Sequence, residues 1–324
     1  MASKKARLII NPVSGTRSKS GLDLAVKKHL EPLDISIETV FTMAAGHAFE
    51  LASEALDKKC DLVIAAGGDG TINEVANALS FSNCPLGIIP YGSGNGLARS
   101  IGIPPDISKA LKIIQKGHII ACDRGVVNNH PFYCTFGVGF DAAVSHRFAK
   151  MEKRGRISYI RSALREFFKY HNETYAITIN DKTITEEALL IAVCNAPQYG
   201  NNAYIGPKAK LNDGLLDITI AHTDSSLHAL KMSMDLLTGV IDKNRHIDIL
   251  SVPSLVIHRD QCSPVHLDGE PLIMEENLFI TCQKKALLVF APEKNQKFVP
   301  YISPLRAILS DLKYDVMHKF IKNH

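Results

Sequence analysis

The run Gly67-Gly68-Asp69-Gly70-Thr71-Ile72-Asn73-Glu74-Val75 holds the residue types from which chemistry can be built. It follows an apolar stretch, Asp61–Ala66, that reads as a strand, and its pattern predicts a helix beginning near Thr71. Glycines at a strand-to-helix turn let backbone N–H groups approach an anion that the helix N-terminus already attracts. The carboxylate of Asp69 would repel a bare phosphate there. It makes sense where a Mg²⁺ ion or its waters lie between the two charges. A loop that cradles phosphates and also carries an acid points to phosphoryl transfer. The plainer alternative is a glycine-rich turn that only joins strand to helix, and three glycines with Asp and Thr in this context weigh against it.

These residues need a scaffold, and the first third of the chain supplies one. Strand-like segments Ala6–Ile10, Ile35–Phe41, Leu62–Ala66 and Leu86–Ile89 alternate with helical ones at Gly21–Leu30, His47–Lys58, Thr71–Leu79 and Ile107–Lys116. Such alternation predicts a parallel sheet with helices on its faces. Ligands of such sheets bind at the carboxyl ends of the strands. The Asn11–Gly15, Gly67–Thr71 and Gly92–Gly96 loops all leave strands at that end, so together they would form a nucleotide site.

Beyond about Ile119 the pattern changes to short strands separated by turn residues: Ile119–Val127, Phe132–Val138, Tyr175–Asn180, Leu189–Cys194, Leu216–Ile220, Ile247–Val252, Leu255–Ile257 and Leu278–Cys282. Helical patterns recur at Asp141–Lys153, Ser158–Tyr170 and Ser226–Leu237. The expected fold is therefore an α/β domain followed by a mainly antiparallel β-sandwich. The boundaries are 1–118 for the first domain, joined by a returning C-terminal helix over 304–324, and 119–303 for the second. That last helix carries an apolar stripe of Leu305, Ile308, Leu309, Leu312, Val316 and Phe320. It reads as docking on the first domain in preference to lying on a membrane.

Composition excludes several classes. The 324 residues suffice for two cores, and 46% hydrophobic with 22% charged residues fit an ordinary globular protein. A net charge of +4 gives no argument for nucleic acid. No apolar stretch approaches the roughly 20 residues of a spanning helix. Met1–Lys5 runs straight into a strand, leaving no room for a signal peptide, and the seven cysteines form no C-x-x-C pair, so the chain reads as cytoplasmic with reduced thiols. The thirteen histidines show no metal-binding spacing.

Five more motifs stand in order along the chain: Asn11-Pro12-Val13-Ser14-Gly15; Pro90-Tyr91-Gly92-Ser93-Gly94-Asn95-Gly96-Leu97-Ala98-Arg99; Gly139-Phe140-Asp141; Asp213-Gly214-Leu215-Leu216-Asp217; and Asp268-Gly269-Glu270. With the opening run, this ordered set resembles the lipid kinases that share the diacylglycerol kinase catalytic domain, from Leu8 to about Phe290. The family includes bacterial diacylglycerol kinases and the sphingosine and ceramide kinases. The glycine run alone would also suit an NAD kinase.

The resemblance implies that ATP and lipid meet in a cleft between the domains. It implies that Asn11, Pro12, Val13, Ser14 and Gly15, with Gly67, Gly68, Asp69, Gly70, Thr71, Ile72 and Asn73, hold the nucleotide, joined by Thr42 and Ser93. Asp69 would reach an ATP-bound Mg²⁺ through water, and Glu270 would be the catalytic base toward the lipid hydroxyl. Lys210, Asp213 and Leu215 fall where a structural Mg²⁺ is held, by the Asp carboxylate and two backbone carbonyls. Asp141 and Arg99 are candidate substrate residues. From the residues alone, Asp268-Gly269 is also a common hairpin turn and Asp141 a helix cap. Two departures stand out: Gly96 replaces the Asp of many bacterial members, and Asn201-Asn202 replaces a Gly-Gly after Tyr199-Gly200.

The expected partners are a membrane lipid and, transiently, an anionic membrane surface on its cytoplasmic face, with homodimers in some family members. A basic cluster from Arg147 to Lys169, interleaved with aromatics, could serve that docking or be a solvated helix face. Diacylglycerol is the first-choice acceptor. The rivals are a sphingoid base or ceramide, NAD, and a nucleotide-binding regulator without catalysis.

Overall fold

The computed structural model describes residues 3–15, 17–149, 170, 172–223 and 225–293. The basic residues from Lys150 to Lys169, the predicted helix that ends at Tyr170 and the C-terminal stripe lie outside them, Tyr170 itself excepted.

The first domain is built on four parallel strands: β1 (Lys4–Ile10), β2 (Ile35–Phe41), β3 (Leu62–Gly67) and β4 (Leu86–Pro90), in the order β2-β1-β3-β4. Every residue of β3 and β4 is buried, as strands covered on both faces require. Helices α1 (Leu22–Leu30), α2 (His47–Asp57), α3 (Asp69–Leu79), α4 (Gly96–Ile101) and α5 (Ile107–Lys116) do the covering. In α2 the buried apolar positions are Ala48, Leu51, Ala52 and Ala55, and in α3 Ile72, Val75, Ala76 and Leu79, each set spaced for one helix face. Helix α3 starts at Asp69, two positions before the predicted Thr71, so the acid sits inside the first turn. Arg7 of β1, fully buried, is held by Glu38 of β2 at 2.7 Å and Glu54 of α2 at 3.2 Å.

The second domain is the expected sandwich. One layer, among the described residues, is a six-stranded antiparallel sheet in the order β12-β11-β10-β7-β14-β15. Its strands are β7 (Thr135–Gly139), β10 (Leu190–Cys194), β11 (Leu216–Ala221), β12 (Ile247–Val252), β14 (Ser263–Leu267) and β15 (Glu270–Met274). The facing layer holds β5 (Ile119–Val127), β6 (His130–Phe132), β8 (Glu173–Ile179), β9 (Lys182–Ala188), β13 (Ser254–His258) and β16 (Asn277–Phe290). Phe136, Val138, Ile191, Val193, Ile218 and Ile257 fill the space between. Helix α6 (Phe140–Ala149) follows β7, and α7 (Ser226–Thr238) places Met232 in a cluster with the outward residues of β10.

The two domains share a sheet. Strand β16 pairs antiparallel with β13 and β5, then meets β4 in parallel at Val289–Leu86. Its bulge between Gln283 and Leu287 contains Lys285 at φ 51°, whose N–H donates to Asp123 at 2.7 Å. Leu278 and Ile280 therefore pack in the sandwich core while Leu287 and Val289 pack in the first core.

Sequence periodicity missed β9, β14 and β15, and it merged β6 with β7. Those two strands separate because the amides of Tyr133, Cys134 and Thr135 are taken by the Asp268 side chain instead of a neighbouring strand. Among the described residues no helix is long and apolar enough to cross a membrane.

Candidate active site

Three glycine-bearing loops meet at the carboxyl ends of β1, β3 and β4. Gly15 has φ 63°, and a Cβ there would stand 1.9 Å from the Tyr91 carbonyl oxygen, so a side chain is excluded on both counts. The Tyr91 amide donates to the Gly67 carbonyl at 2.8 Å, and Asn11 Nδ2 donates to Thr71 Oγ1 at 2.9 Å. The loops are thus cross-linked to one another at the N-terminus of α3, where helix dipole and free amides favour an anion.

The polar residues of the Gly67–Glu74 run each reach a different element. Asp69 accepts from the amides of Asn95 at 2.8 Å and Gly96 at 2.7 Å, one on each carboxylate oxygen. Asn73 Nδ2 donates to Asp268 at 2.9 Å. Glu74 accepts from the amides of Gly46 at 2.8 Å and Ala48 at 3.0 Å, tying down the start of α2. Ile72 is in the hydrophobic core, so only its backbone is left for a ligand.

The hairpin joining β14 and β15 brings the sandwich to this point. Leu267 pairs with Glu270, leaving Asp268 (φ 51°) and Gly269 (φ 87°) as a two-residue turn with both residues left-handed. Asp268 accepts four hydrogen bonds, from the amides of Tyr133 (2.8 Å), Cys134 (2.7 Å) and Thr135 (2.9 Å) and from Asn73. Four donors and no acceptor suit an ionised carboxylate; burial pushes its pKa up while the three amides pull it back. The hairpin reading and the functional reading of Asp268-Gly269-Glu270 are therefore compatible, because the turn is what presents Glu270.

Glu270 stands at the rim of a cavity of about 250 Å³ lined by Phe49, Asn73, Glu74, Pro131, Tyr133 and Asp268 among others. A Cβ added to Gly70 would lie 2.9 Å from Glu270 Oε1, so the carboxylate reaches across the cleft to the first turn of α3. Burial of its inner side raises its pKa, and the negative charges of Asp268, Glu74 and Asp69 add to the rise. A carboxylate with a raised pKa is better matched to taking up a proton near neutral pH.

Other predicted residues fall as follows. Thr42 is buried at the end of β2, its amide bonded to the Ile10 carbonyl at 2.9 Å, and Ser93 is exposed on its loop. Val13 is 87% exposed at the tip of the first loop, between Pro12 and Ser14. Arg99 is directed at protein: Nε donates to the Gly94 carbonyl at 2.9 Å and a terminal nitrogen to Asn202 at 3.3 Å. Asp141 is buried and hydrogen-bonded to Tyr199 and His266. Lys210 and Asp213 are exposed on a loop pinned to β5, with Gly214 N–H donating to Asp123 at 2.6 Å and Leu215 N–H to Asp213 at 3.1 Å. Among the described residues, no group of three or more His, Cys, Asp or Glu is arranged to hold a metal.

Sequence reasoning passed over several contributors. Arg17 and Lys19 both stack on the Tyr91 ring, at 4.9 and 4.8 Å, and bond the carbonyls of Pro90 and Ser14. They bring two cations to the loops, a signal present as basic residues shortly after Gly15. Burial, then Arg17, lowers the Lys19 pKa. Asn95 is the other: its Oδ1 is buried and accepts no hydrogen bond among the described residues, while its amide binds Asp69. An acceptor in need of a donor beside a carboxylate suits a hydrated divalent cation, whose waters donate and whose charge is balanced by hard oxygens. The residues present therefore fit Mg²⁺.

Cross-linked glycine loops on a parallel sheet, faced by an acid-bearing sandwich turn, define a two-domain protein built to handle phosphate. Residues 5–127 match the diacylglycerol kinase catalytic domain, and residues 134–291 match the YegS C-terminal NAD kinase beta sandwich-like domain. The chain is 29% identical over 299 residues to "Diacylglycerol kinase" of Bacillus subtilis (strain 168), covering 91% of this chain and 99% of that one. It is 34% identical over 239 residues to "Probable lipid kinase YegS-like" of Pectobacterium atrosepticum, covering 71% and 78%. The crystal structure of a diacylglycerol kinase from Bacillus anthracis str. Sterne shares the fold, with a TM-score of 0.67 at 23% identity over 90% of this chain and 97% of that one. The chain belongs to the diacylglycerol kinase catalytic-domain family, a family of lipid kinases. Membership of a kinase family implies that ATP is the phosphoryl donor.

Proposed function

We propose that this protein is an ATP- and Mg²⁺-dependent lipid kinase that phosphorylates the primary hydroxyl of a membrane lipid, converting diacylglycerol to phosphatidate. The observation that carries the reading is the meeting of Glu270 with the first turn of α3. There an acid from the sandwich faces the phosphate-binding loops across a cavity, 2.9 Å from a Cβ position on Gly70.

In this reading the loops of Asn11–Gly15 and Gly67–Asn73 hold the triphosphate with backbone amides, and Arg17 and Lys19 add positive charge at their rim. Asp69 and Asn95 would hold the hydrated Mg²⁺, which when bound neutralises charge on the phosphates. Glu270 accepts the proton of the lipid hydroxyl as its oxygen bonds to the γ-phosphorus and the bond to the β-phosphate oxygen breaks, releasing ADP. A general base of this kind contributes about 10²–10⁴-fold. The hydroxyl enters from the rim, where Leu272 (40% exposed) and Ile273 (67%) leave apolar surface next to the base on the edge strand β15. These side chains suit acyl chains at a membrane surface, and peripheral, transient docking at an anionic bilayer is part of the proposal. The loop of Lys210, Asp213 and Leu215 remains the proposed place for a second, structural Mg²⁺.

The test is transfer of labelled γ-phosphate from ATP to diacylglycerol, sphingosine, ceramide and monoacylglycerol in mixed micelles, with NAD as a soluble control. Label on diacylglycerol supports the reading in full. Label on a sphingolipid keeps the chemistry and changes the acceptor. Label on NAD alone, or on nothing while ATP still binds, overturns it.

A further inference from the structure

The cleft accounts for Asp268 and Glu270 but not for the buried polar groups behind them. His266 (1% exposed) lies on β14 three residues before Gly269, and Asp141 (7%) lies in the first turn of α6. Asp141 Oδ2 accepts from the Tyr199 hydroxyl at 2.8 Å and from His266 Nε2 at 3.1 Å. The other His266 nitrogen, Nδ1, accepts the Gly269 N–H at 3.4 Å. A backbone amide can only donate, so the ring proton is on Nε2 and points at Asp141. Tyr199 and His266 also meet edge to face, with centroids 5.6 Å apart.

The trio has no spare room. A Cβ on Gly137 of the central strand β7 would lie 2.3 Å from Asp141 Oδ2 and 2.4 Å from His266 Nε2. Tyr199 in turn begins the loop that closes over the Gly92–Gly96 loop: Asn201 N–H donates to the Gly94 carbonyl at 3.3 Å, and Asn202 receives Arg99. A chain of contacts therefore runs from the phosphate loop to the hairpin that presents Glu270, without passing through α3. Burying a carboxylate and an imidazole is costly unless both are bonded; Asp141 Oδ1 accepts the Ala142 N–H of its own helix at 2.8 Å, and Oδ2 and the imidazole make the bonds toward Tyr199 and that hairpin.

We propose that Tyr199, Asp141 and His266 are positioning residues that fix the Asp268–Glu270 turn through the His266–Gly269 bond, and so set where the Glu270 carboxylate stands. The proposal rests on the reading of Glu270 as the base. It also gives Asp141 a role other than contact with the lipid head.

The test uses the full chain with Tyr199→Phe, His266→Ala and His266→Asn, the last retaining a carboxamide oxygen near the Nδ1 position. Two quantities are read: amide hydrogen exchange across residues 266–272, and kcat and KM for ATP in the lipid assay. Exchange should speed up in Tyr199→Phe and His266→Ala. Turnover should fall about tenfold while KM for ATP stays within about twofold, as displacement of a reacting group by a fraction of an ångström predicts. His266→Asn should recover part of both. Unchanged exchange in folded Tyr199→Phe protein overturns the proposal. So does a lowered melting temperature with unchanged kcat per folded molecule, which would make the trio merely structural. If His266→Ala fails to fold, Tyr199→Phe decides. If the parent protein labels no lipid, the kinase reading falls, and the exchange measurement still decides whether the trio fixes the turn.

Discussion

Replacing Gly70 by Ala should separate stability from activity. Gly70 lies in the first turn of α3, and its φ is outside the left-handed region, so alanine meets no backbone strain. Exchanging glycine for alanine within a helix stabilises it by about 0.5–1 kcal/mol. At about 2–4 °C per kcal/mol for a domain of this size, the melting temperature should rise by about 1–4 °C. Among the described residues, the neighbour within 4 Å of the new Cβ is Glu270 Oε1, at 2.9 Å. An ordinary contact is about 3.5 Å or more, so the flexible carboxylate gives way by roughly half an ångström. Misplacing a reacting group by about 1 Å costs up to 10²-fold, which puts the expected loss of kcat near tenfold. The assay pairs a thermal melt with phosphate transfer at saturating ATP. Wild-type turnover in the variant would refute the placement of Glu270 as base. A melting temperature lowered by several degrees would refute the local geometry.

Glu270→Gln should abolish turnover by at least about 10²-fold while ATP affinity, measured by titration, changes less than about twofold. The pKa of Glu270 is raised by burial and by neighbouring acids, and the base acts only when ionised. The rate should therefore fall as pH drops through a value above the ordinary glutamate value of 4.5; an acid limb at or below pH 4.5 would contradict this. Asn202→Gly keeps the left-handed backbone (φ 60°) but removes the Arg99 partner, and should cost about 1 kcal/mol. Asn202→Ala adds about 1–2 kcal/mol of strain, so its melting temperature should lie below that of the glycine variant. If the Asp213 loop holds a structural Mg²⁺, chelation should lower the melting temperature of the parent protein and leave that of Asp213→Ala unmoved; equal shifts would remove the metal from this loop.

Much of this molecule is local and therefore legible in order along the chain. The strand Leu62–Gly67 is apolar throughout because both of its faces are covered, and α2 and α3 carry buried residues at helical spacing. The glycine loops leave strands at one edge because parallel strands all end on the same side. Those features predict an α/β domain with a phosphate site, and the change to short strands after Ile119 predicts the sandwich.

What the tertiary structure decided involves partners far apart in sequence. Asn73 finds Asp268 at a separation of 195 residues, and Asp141 finds His266 at 125. No local pattern reports such pairings, because a side chain's partner is set by tertiary packing, between the domains for Asn73 and within the sandwich domain for Asp141. Strands β14 and β15 escaped notice for a related reason: the polar His266 and Asp268 in and beside them find partners, Asp141 and Asn73, that lie far away in sequence. The Asn201-Asn202 pair looked like the loss of two glycines, yet both residues adopt φ of 52° and 60°. Asparagine tolerates that region, and Asn202 adds a bond to Arg99 that glycine could not make. The residue types named the chemistry; only the fold showed that most of the phosphate motif's own side chains are spent holding its loops together, leaving Glu270 to face the cleft.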